Sequence, residues 1–575
     1  MKENKNIYDN KGKAERLLSC LTLCHNILRN QERMSPESAF RELNRLLYVK
    51  YITERKGIEG WSYYEENEIR RIFEEVKSEF SYEHLFDFSE TIVSSPISYR
   101  DVLGTLKEFD FISASAETGY AYENFVQKVL RSISDEPVIP RGIVEYIMDY
   151  LDVNSASNVI DPLCGYGALL TALSSQYTKE RKGKTFGFER DQMLVQTAKM
   201  NLMMHGDRKG RIERTMQNIY NYNHQFDYVI TSIKHRETTR VDINGVMDLL
   251  KHEGKAALLI PDDILQKDQY EDVRRLLMER HTVMAVISLP DDAVKARGRK
   301  GKWNILIVQG GRAQDYGTET LFAKVENIGV SSLGLSSEKN DFKLIEPAVY
   351  EWLHGGNRVK SERVMWVKLH ELESWNVEAE LLKEENRFMS QYPLYRLRDL
   401  VEIDGVSLVE HFEADEYIRV TVRKNQHDVI LRDRVAAEKI KHLRRQFIVR
   451  GGQMIISRID AKDGAIGIVP RELDGAIVSD NFIILTIKDL NVDPYYLLMV
   501  LTSERYQKVM KGISRGATMR TYIKNSDLLD IEVPVPKIEK QHELIGDMAG
   551  VQRQIYQLEK HWQEGIQRFS KELFG

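Results

Sequence analysis

Residues 157–177 read SNVIDPLCGYGALLTALSSQY. A β-branched strand enters a glycine turn and leaves as a helix. Glycines at such a turn let backbone approach a ligand closely, and the helix start offers free N–H groups. Further on, KTFGFE is a second strand, and it ends in Glu189. A carboxylate roughly twenty residues after the glycine turn suits the two hydroxyls of a ribose. Taken alone, Glu189 is also compatible with a surface carboxylate. As a pair, turn and carboxylate point to a nucleoside-cofactor site in an α/β domain.

The flanking pattern extends this reading. Between 111 and 330, short β-branched runs (FDYVITSI, KAALLIP, TVMAVISLP, WNILIVQG) alternate with helical segments such as DQYEDVRRLLMERH. That alternation argues for a mostly parallel sheet covered by helices. Residues 1–110 read as a helical N-terminal domain, with Ser35-Pro36 as a helix start and Phe40, Leu43, Leu46, Leu47, Val49 and Ile52 at helical spacing. Residues 331–390 read as a connecting region. Residues 391–536, rich in short strands and turns, read as a separate α+β domain. Residues 537–575 read as one long helix. Its Leu544, Met548, Val551, Ile555, Leu558, Trp562, Ile566, Phe569 and Leu573 recur by four and three, as in a coiled coil. The alternative for that stripe is packing on its own protein.

Composition removes several classes. With 575 residues the chain exceeds a single core, and a net charge of −5 confines any nucleic-acid surface to a local patch. No apolar run reaches membrane-spanning length, and the first residues lack a signal-peptide core. Cys20, Cys24 and Cys164 are the only cysteines. They make no disulfide framework and suit a reducing cytoplasm. Cys20 and Cys24 lack further metal ligands nearby and read as core thiols, so no metal site is expected.

DPLCGYG resembles the DPxCGSG motif of gamma-class adenine N6 DNA methyltransferases. GFERDQMLVQTAKMNLMMHG, LKHEGKAALLIPDDIL, VRRLLMERHTVMAVISLPDDAV and NILIVQ resemble the following segments of type I restriction–modification modification subunits, in order. ESAFRELNRLLYVKYITER resembles that family's helical N-terminal domain. The resemblance spans residues 35–345. It implies a Rossmann-like domain that uses S-adenosylmethionine. Asp161, Cys164, Gly165 and Gly167 would line its methionine end, Glu189 its ribose, and Asn218 would lie near its adenine. Tyr166 replaces the usual Ser, and Asn218 an acidic residue.

The methyl-transfer motif departs from the family. Where the family has NPPF or NPPY after an FDxVxx strand, this chain has Ser232-Ile233-Lys234-His235. The family's Asn accepts hydrogen bonds from the amine of a flipped adenine, and its aromatic ring stacks on the base. Ser232 retains one acceptor and His235 a ring for stacking, so these two are the candidate catalytic residues. Both prolines are lost, and with them the rigid turn. Lys234 adds positive charge beside a sulfonium, which is unfavourable. Two readings stay open: a fold kept for DNA binding or assembly with impaired catalysis, or an active methyltransferase with a variant motif.

Between Tyr417 and Lys462 stand twelve Lys and Arg residues and four acidic ones. Such a cluster suits phosphate contacts. GGQMIISRIDAKDGAIGIV and ISRGATMRTYIKNSDLLDIEVPVPKIEKQHELIGDM resemble the target-recognition domain of type I specificity subunits. Gly516, Thr518, Ile523, Pro534, Pro536 and Gln541 carry that match. The resemblance implies double-stranded DNA as partner, with Arg458, Arg515 and Arg520 as candidate contacts. One recognition domain per chain suggests a homodimer through the C-terminal helix, or assembly with other restriction–modification subunits. The expected setting is a cytoplasmic restriction–modification or phage-defence system.

Overall fold

The structure is a computed structural model. It describes residues 2–58, 66–77, 85–134, 136–177, 183–207, 210–214, 222, 224–233, 239–291, 293–294, 301–330, 336–372, 374–407, 415–424, 428–440, 445–513 and 522–574. The chain divides into two compact units, Met1–Trp375 and Asn376–Gly575.

The first unit opens with helices α1 (Lys2–Gln31), α2 (Pro36–Arg55), α3 (Glu66–Val76), α4 (Pro96–Thr105) and α5 (Ser115–Ile133). Ser35 and Ser95 cap α2 and α4, each followed by Pro in the first turn, where a missing N–H costs nothing. Phe40, Leu43, Leu47, Tyr48 and Phe125 share their apolar core, in which Cys24 is buried. The buried Glu42 carboxylate accepts from Val93 N, Ser94 N and Ser94 Oγ at 2.9, 2.7 and 2.7 Å.

There follow α6 (Arg141–Leu151), β1 (Val159–Asp161), α7 (Ala168–Tyr177), β2 (Thr185–Glu189), α8 (Gln192–Met204), β3 (Arg211–Arg214), β4 (Phe226–Ser232), α9 (Thr239–Met247), β5 (Leu250–Pro261), α10 (Asp262–Gln266), α11 (Glu271–Arg280), β6 (Thr282–Ser288), β7 (Trp303–Gln309), β8 (Thr320–Lys324), β9 (Ile328–Val330), β10 (Ser336–Asn340), α12 (Phe342–Leu353) and β11 (Val364–Val367). Nine strands form one sheet in the order β11-β8-β6-β7-β5-β4-β1-β2-β3. From β3 to β5 neighbours are parallel, whereas β7 runs antiparallel to both β5 and β6. The sheet is therefore mixed. Its order reverses direction between β1 and β4, the kind of switch point at which open α/β sheets bind ligands beyond their strand ends. Of the segment read as a connector, 331–390, α12 and β11 lie in the first unit, β11 as an edge strand of the sheet.

The second unit contains α13 (Val377–Met389), β12 (Leu394–Arg396), α14 (Leu397–Leu400), β13 (Val401–Asp404), β14 (Val406–Ser407), β15 (Glu416–Val422), β16 (Val429–Ala436), β17 (Gln446–Ile448), β18 (Met454–Ser457), β19 (Ile466–Ile468), β20 (Ile477–Ser479), β21 (Phe482–Ile487), α15 (Pro494–Thr502), α16 (Glu504–Ile513), α17 (Asn525–Leu529), β22 (Glu532–Pro534), α18 (Ile538–Ile545) and α19 (Met548–Phe574). One sheet runs β13-β21-β18-β19 and another β14-β17-β20-β15-β16. The long C-terminal helix expected from 537 onward is broken. Gly546 takes φ +56°, and the following Asp547 accepts from Gly550 N at 3.0 Å, capping a new helix. Along α19, Val551, Ile555, Leu558, Trp562, Ile566, Phe569 and Leu573 are exposed. Among the described residues no helix is long and apolar enough to cross a membrane.

Candidate functional site

The carboxyl ends of β1, β2 and β4 adjoin one another. Asp161 closes β1 and is buried. It accepts from Thr231 Oγ1 of β4 at 2.6 Å and from Leu163 N at 3.2 Å. Burial pushes its carboxyl up to about 7; the two hydrogen bonds oppose that shift, and the neighbouring Glu136 and Glu189 add to it. Gly165 and Gly167 turn the chain at φ +55° and +82°, where a side chain is disfavoured. Cys164 is buried behind the turn, and burial raises its thiol well above the ordinary range.

The loop spends its own donors. Cys164 N bonds Phe188 O at 2.9 Å, Gly167 N bonds Cys164 O at 2.8 Å, and Gly165 N bonds Glu189 Oε2 at 3.1 Å. Glu189 Oε1 accepts from Arg190 N and Asp191 N at 2.7 and 3.0 Å. A phosphate would thus meet occupied N–H groups and carboxylates. The second carboxylate flanking Gly165 is Glu136, from the segment between α5 and α6. A Cβ at Gly165 would lie 2.2 Å from Glu136 Oε1. Three carboxyl groups around one glycine turn suit a ligand with a cationic end. Among the described residues no group of three or more His, Cys, Asp and Glu could hold a metal ion. A sulfonium or ammonium group fits this donor set; a pyrophosphate does not.

The structure brings Asp161, Cys164, Gly165, Gly167 and Glu189 together. Asn218 and His235 lie outside the described residues, as does Lys234. Glu136 has no signal in the sequence, because only tertiary packing lays it against the loop. Tyr166 points away from the turn and is buried in the helical core. Its carbonyl accepts from Asn201 Nδ2 of α8 at 3.1 Å.

Ser232 ends β4, one residue after the Thr231 that holds Asp161, and is 4% exposed. Ile233 follows fully buried, and its N–H donates to Leu259 O of β5 at 2.8 Å. A proline at 233 would have no such donor. The strand pairing therefore continues one residue further than a proline turn permits.

In the second unit the signature residues hold structure. Gln541, fully buried, accepts from Asp493 N at 2.9 Å and donates to Asn491 O and Pro536 O, both at 2.8 Å. Pro534 O accepts from Tyr496 Oη at 2.8 Å. Arg458, read as a DNA contact, donates from Nε to Asp480 O at 3.0 Å and from a terminal nitrogen to Ile523 O at 3.2 Å. Those bonds make it first a tie between β18 and the 523 segment. Gly516, Thr518, Arg515 and Arg520 lie outside the described residues. The basic stretch is largely neutralised. Arg419 grips Asp433 through two bonds of 2.6 Å, Arg423 pairs with Asp428, and Lys424 with Asp460 at 2.8 Å. Arg434, Arg445 and Arg450 face Glu416, Asp480 and Asp474 at 3.7, 3.7 and 3.6 Å.

Strand order and glycine loop together define a methyltransferase-like α/β domain in the first unit, joined to a separate α+β unit. Residues 115–242 and 236–343 match the family model "N-6 DNA Methylase", and residues 389–568 match "Type I restriction modification DNA specificity domain". The chain is a fusion of these two domains, homologous to the methylase subunits of type I restriction–modification systems. It is similar to the type I restriction enzyme EcoEI methylase subunit of Escherichia coli, 21% identical over 33% of this chain and 46% of that one. It is also similar to the type II restriction enzyme and methyltransferase RM.BcgI of Heyndrickxia coagulans, 23% identical over 28% of this chain and 29% of that one. The chain thus spans less than half the length of both curated relatives. Among solved structures, the type IIG restriction endonuclease BpuSI aligns with a TM-score of 0.49 at 12% identity, over 91% of this chain and 74% of that one.

Proposed function

We propose that this chain is the sequence-specific DNA-binding component of a restriction–modification or phage-defence system, with an S-adenosylmethionine pocket on an adenine N6 methyltransferase fold and an impaired methyl-transfer site. The single observation that carries the cofactor reading is the set of carboxylates around Gly165. The N-6 DNA methylase family implies S-adenosylmethionine, whose sulfonium and α-ammonium are cationic. Glu136 and Asp161 would face its methionine end, with Cys164, Gly165 and Gly167 forming the wall. Glu189 would hold its ribose and Asn218 would lie near its adenine. The bound cofactor supplies an activated methyl group; the chain's residues bind and orient it.

Impairment rests on Ile233. Its N–H is committed to Leu259 and its side chain to the core. Ser232 is thereby held in the sheet, with only a short hydroxyl where the family places a carboxamide. Ser232 and His235 would be the residues nearest a flipped base. The test is transfer of labelled methyl groups from S-adenosylmethionine to genomic DNA. The wild type is expected to show none above background. Ser232→Asn/Ile233→Pro/Lys234→Pro is the rescue variant. Wild-type transfer would establish an active methyltransferase with a variant motif instead.

DNA reading falls to the second unit, with Arg515 and Arg520 as proposed contacts. A second copy of this chain is the proposed partner of α19, because its apolar residues recur along one helix and are exposed among the described residues. Assembly with other restriction–modification subunits is the other arrangement consistent with the homologues.

A further inference from the structure

We propose that the outer strand β16 of the second unit faces duplex DNA, with Arg432 as its base-contacting side chain. This rests on the reading of that unit as a DNA-binding specificity domain, and adds which surface does the reading.

Three observations meet at Arg432. First, among the described residues β16 is an edge: its sheet ends there, and it pairs with β15 alone. Second, the pairing slips. Arg419 is opposite Asp433 and Val420 is opposite Leu431, which leaves Arg432 as the extra residue of a bulge. A bulge bends its strand and re-aims the extra side chain. Third, charge compensation stops there. Of the described cations from 417 to 462, Arg419, Arg423, Lys424, Arg434, Arg445 and Arg450 each face a carboxylate. Exposed Arg432 closes no ion pair among the described residues; its charge acts only at longer range on the adjacent Asp433, whose two oxygens bond Arg419. Exposed Lys439, in the turn after β16, likewise closes none among the described residues.

A free guanidinium can donate two parallel bonds to guanine O6 and N7. Leu431, exposed beside it, offers an apolar contact for a thymine methyl. Lys439 suits a phosphate, which sets affinity and not sequence. The competing role for the bulge and its arginine is to keep a second sheet from adding to this edge.

The experiment uses the full chain. Wild-type protein selects from a randomised duplex library, and fluorescence anisotropy compares the selected duplex with a scrambled one. Arg432→Ala is expected to cut the preference ratio about tenfold, on the order of one lost bidentate base contact. Arg432→Lys should restore binding to the scrambled duplex without restoring the preference. Lys439→Ala should weaken both duplexes alike and reduce the salt slope by about one. A ratio within twofold of wild type in Arg432→Ala, with an unchanged melting temperature, overturns the inference and leaves the domain reading intact. Failure of the wild type to select any duplex overturns both.

Discussion

The glycine loop of the first unit and the basic stretch of the second treat charge in opposite ways. Around Gly165, carboxyl groups of like sign converge, and burial holds Asp161 near neutrality. Between 417 and 462, six of the ten described cations face an acid, so the density of Arg and Lys there overstates the available positive charge. Gathering like charge inside a fold is costly unless hydrogen bonds or a ligand relieve it. Surface pairs on a sheet cost little and mainly fix side chains. The first arrangement therefore marks a site more sharply than the second.

Asp161 has a native carboxyl pushed up to about 7 against an ordinary 3.8. Its native form holds the proton more tightly, so stability is greatest below the unfolded value and falls as pH rises through 4 to 7. The difference is worth roughly 4 kcal/mol at most. Asp161→Asn should flatten that decline in melting temperature between pH 4.5 and 8; parallel curves would mean Asp161 is not the buried acid described.

Gly165→Ala comes next. The new methyl group would meet Glu136 and occupy a left-handed backbone. S-adenosylmethionine binding by calorimetry should weaken about a hundredfold, from strain plus displacement of the carboxylate. Binding within threefold of wild type would remove Glu136 from the site.

Gln541→Ala sharpens the other side. It leaves the Asp493 N–H and the carbonyls of Asn491 and Pro536 without their partner. A loss of about 2 kcal/mol is expected in the unfolding of the second unit, with S-adenosylmethionine binding unaltered. A selective loss of DNA binding without loss of stability would make Gln541 a reader instead of a clasp.

The smallest effect belongs to the surface pairs. Glu416→Ala frees Arg434, an exposed partner at 3.7 Å. Stability should change by less than about 1 kcal/mol, while DNA affinity rises slightly at low salt. A large stability loss would show that such pairs hold the fold.

What the sequence disclosed depends on range. Asp161, the two glycines and Glu189 were legible because a strand–turn–helix unit fixes them locally. Glu136 was not, since its place beside Gly165 comes from tertiary packing. Nor was the bonding of Ile233 to Leu259: loss of a proline is visible in a sequence, but the ladder bond that replaces it is not. The alternation of elements foretold an α/β sheet, yet nothing in β7 announced that it runs antiparallel. The break at Gly546-Asp547 was legible as a glycine followed by a helix cap, but the apolar stripe on either side of it suggested continuity. Arg458 shows the limit of composition: its donors are held by Asp480 and Ile523, a fact of tertiary structure.

The most direct test of the cationic pocket is calorimetric titration of the full chain with S-adenosylmethionine, with ATP as a phosphate-bearing competitor. Saturable binding of the sulfonium ligand, undiminished by ATP, is the predicted result. No heat with S-adenosylmethionine alongside saturable ATP binding would contradict it.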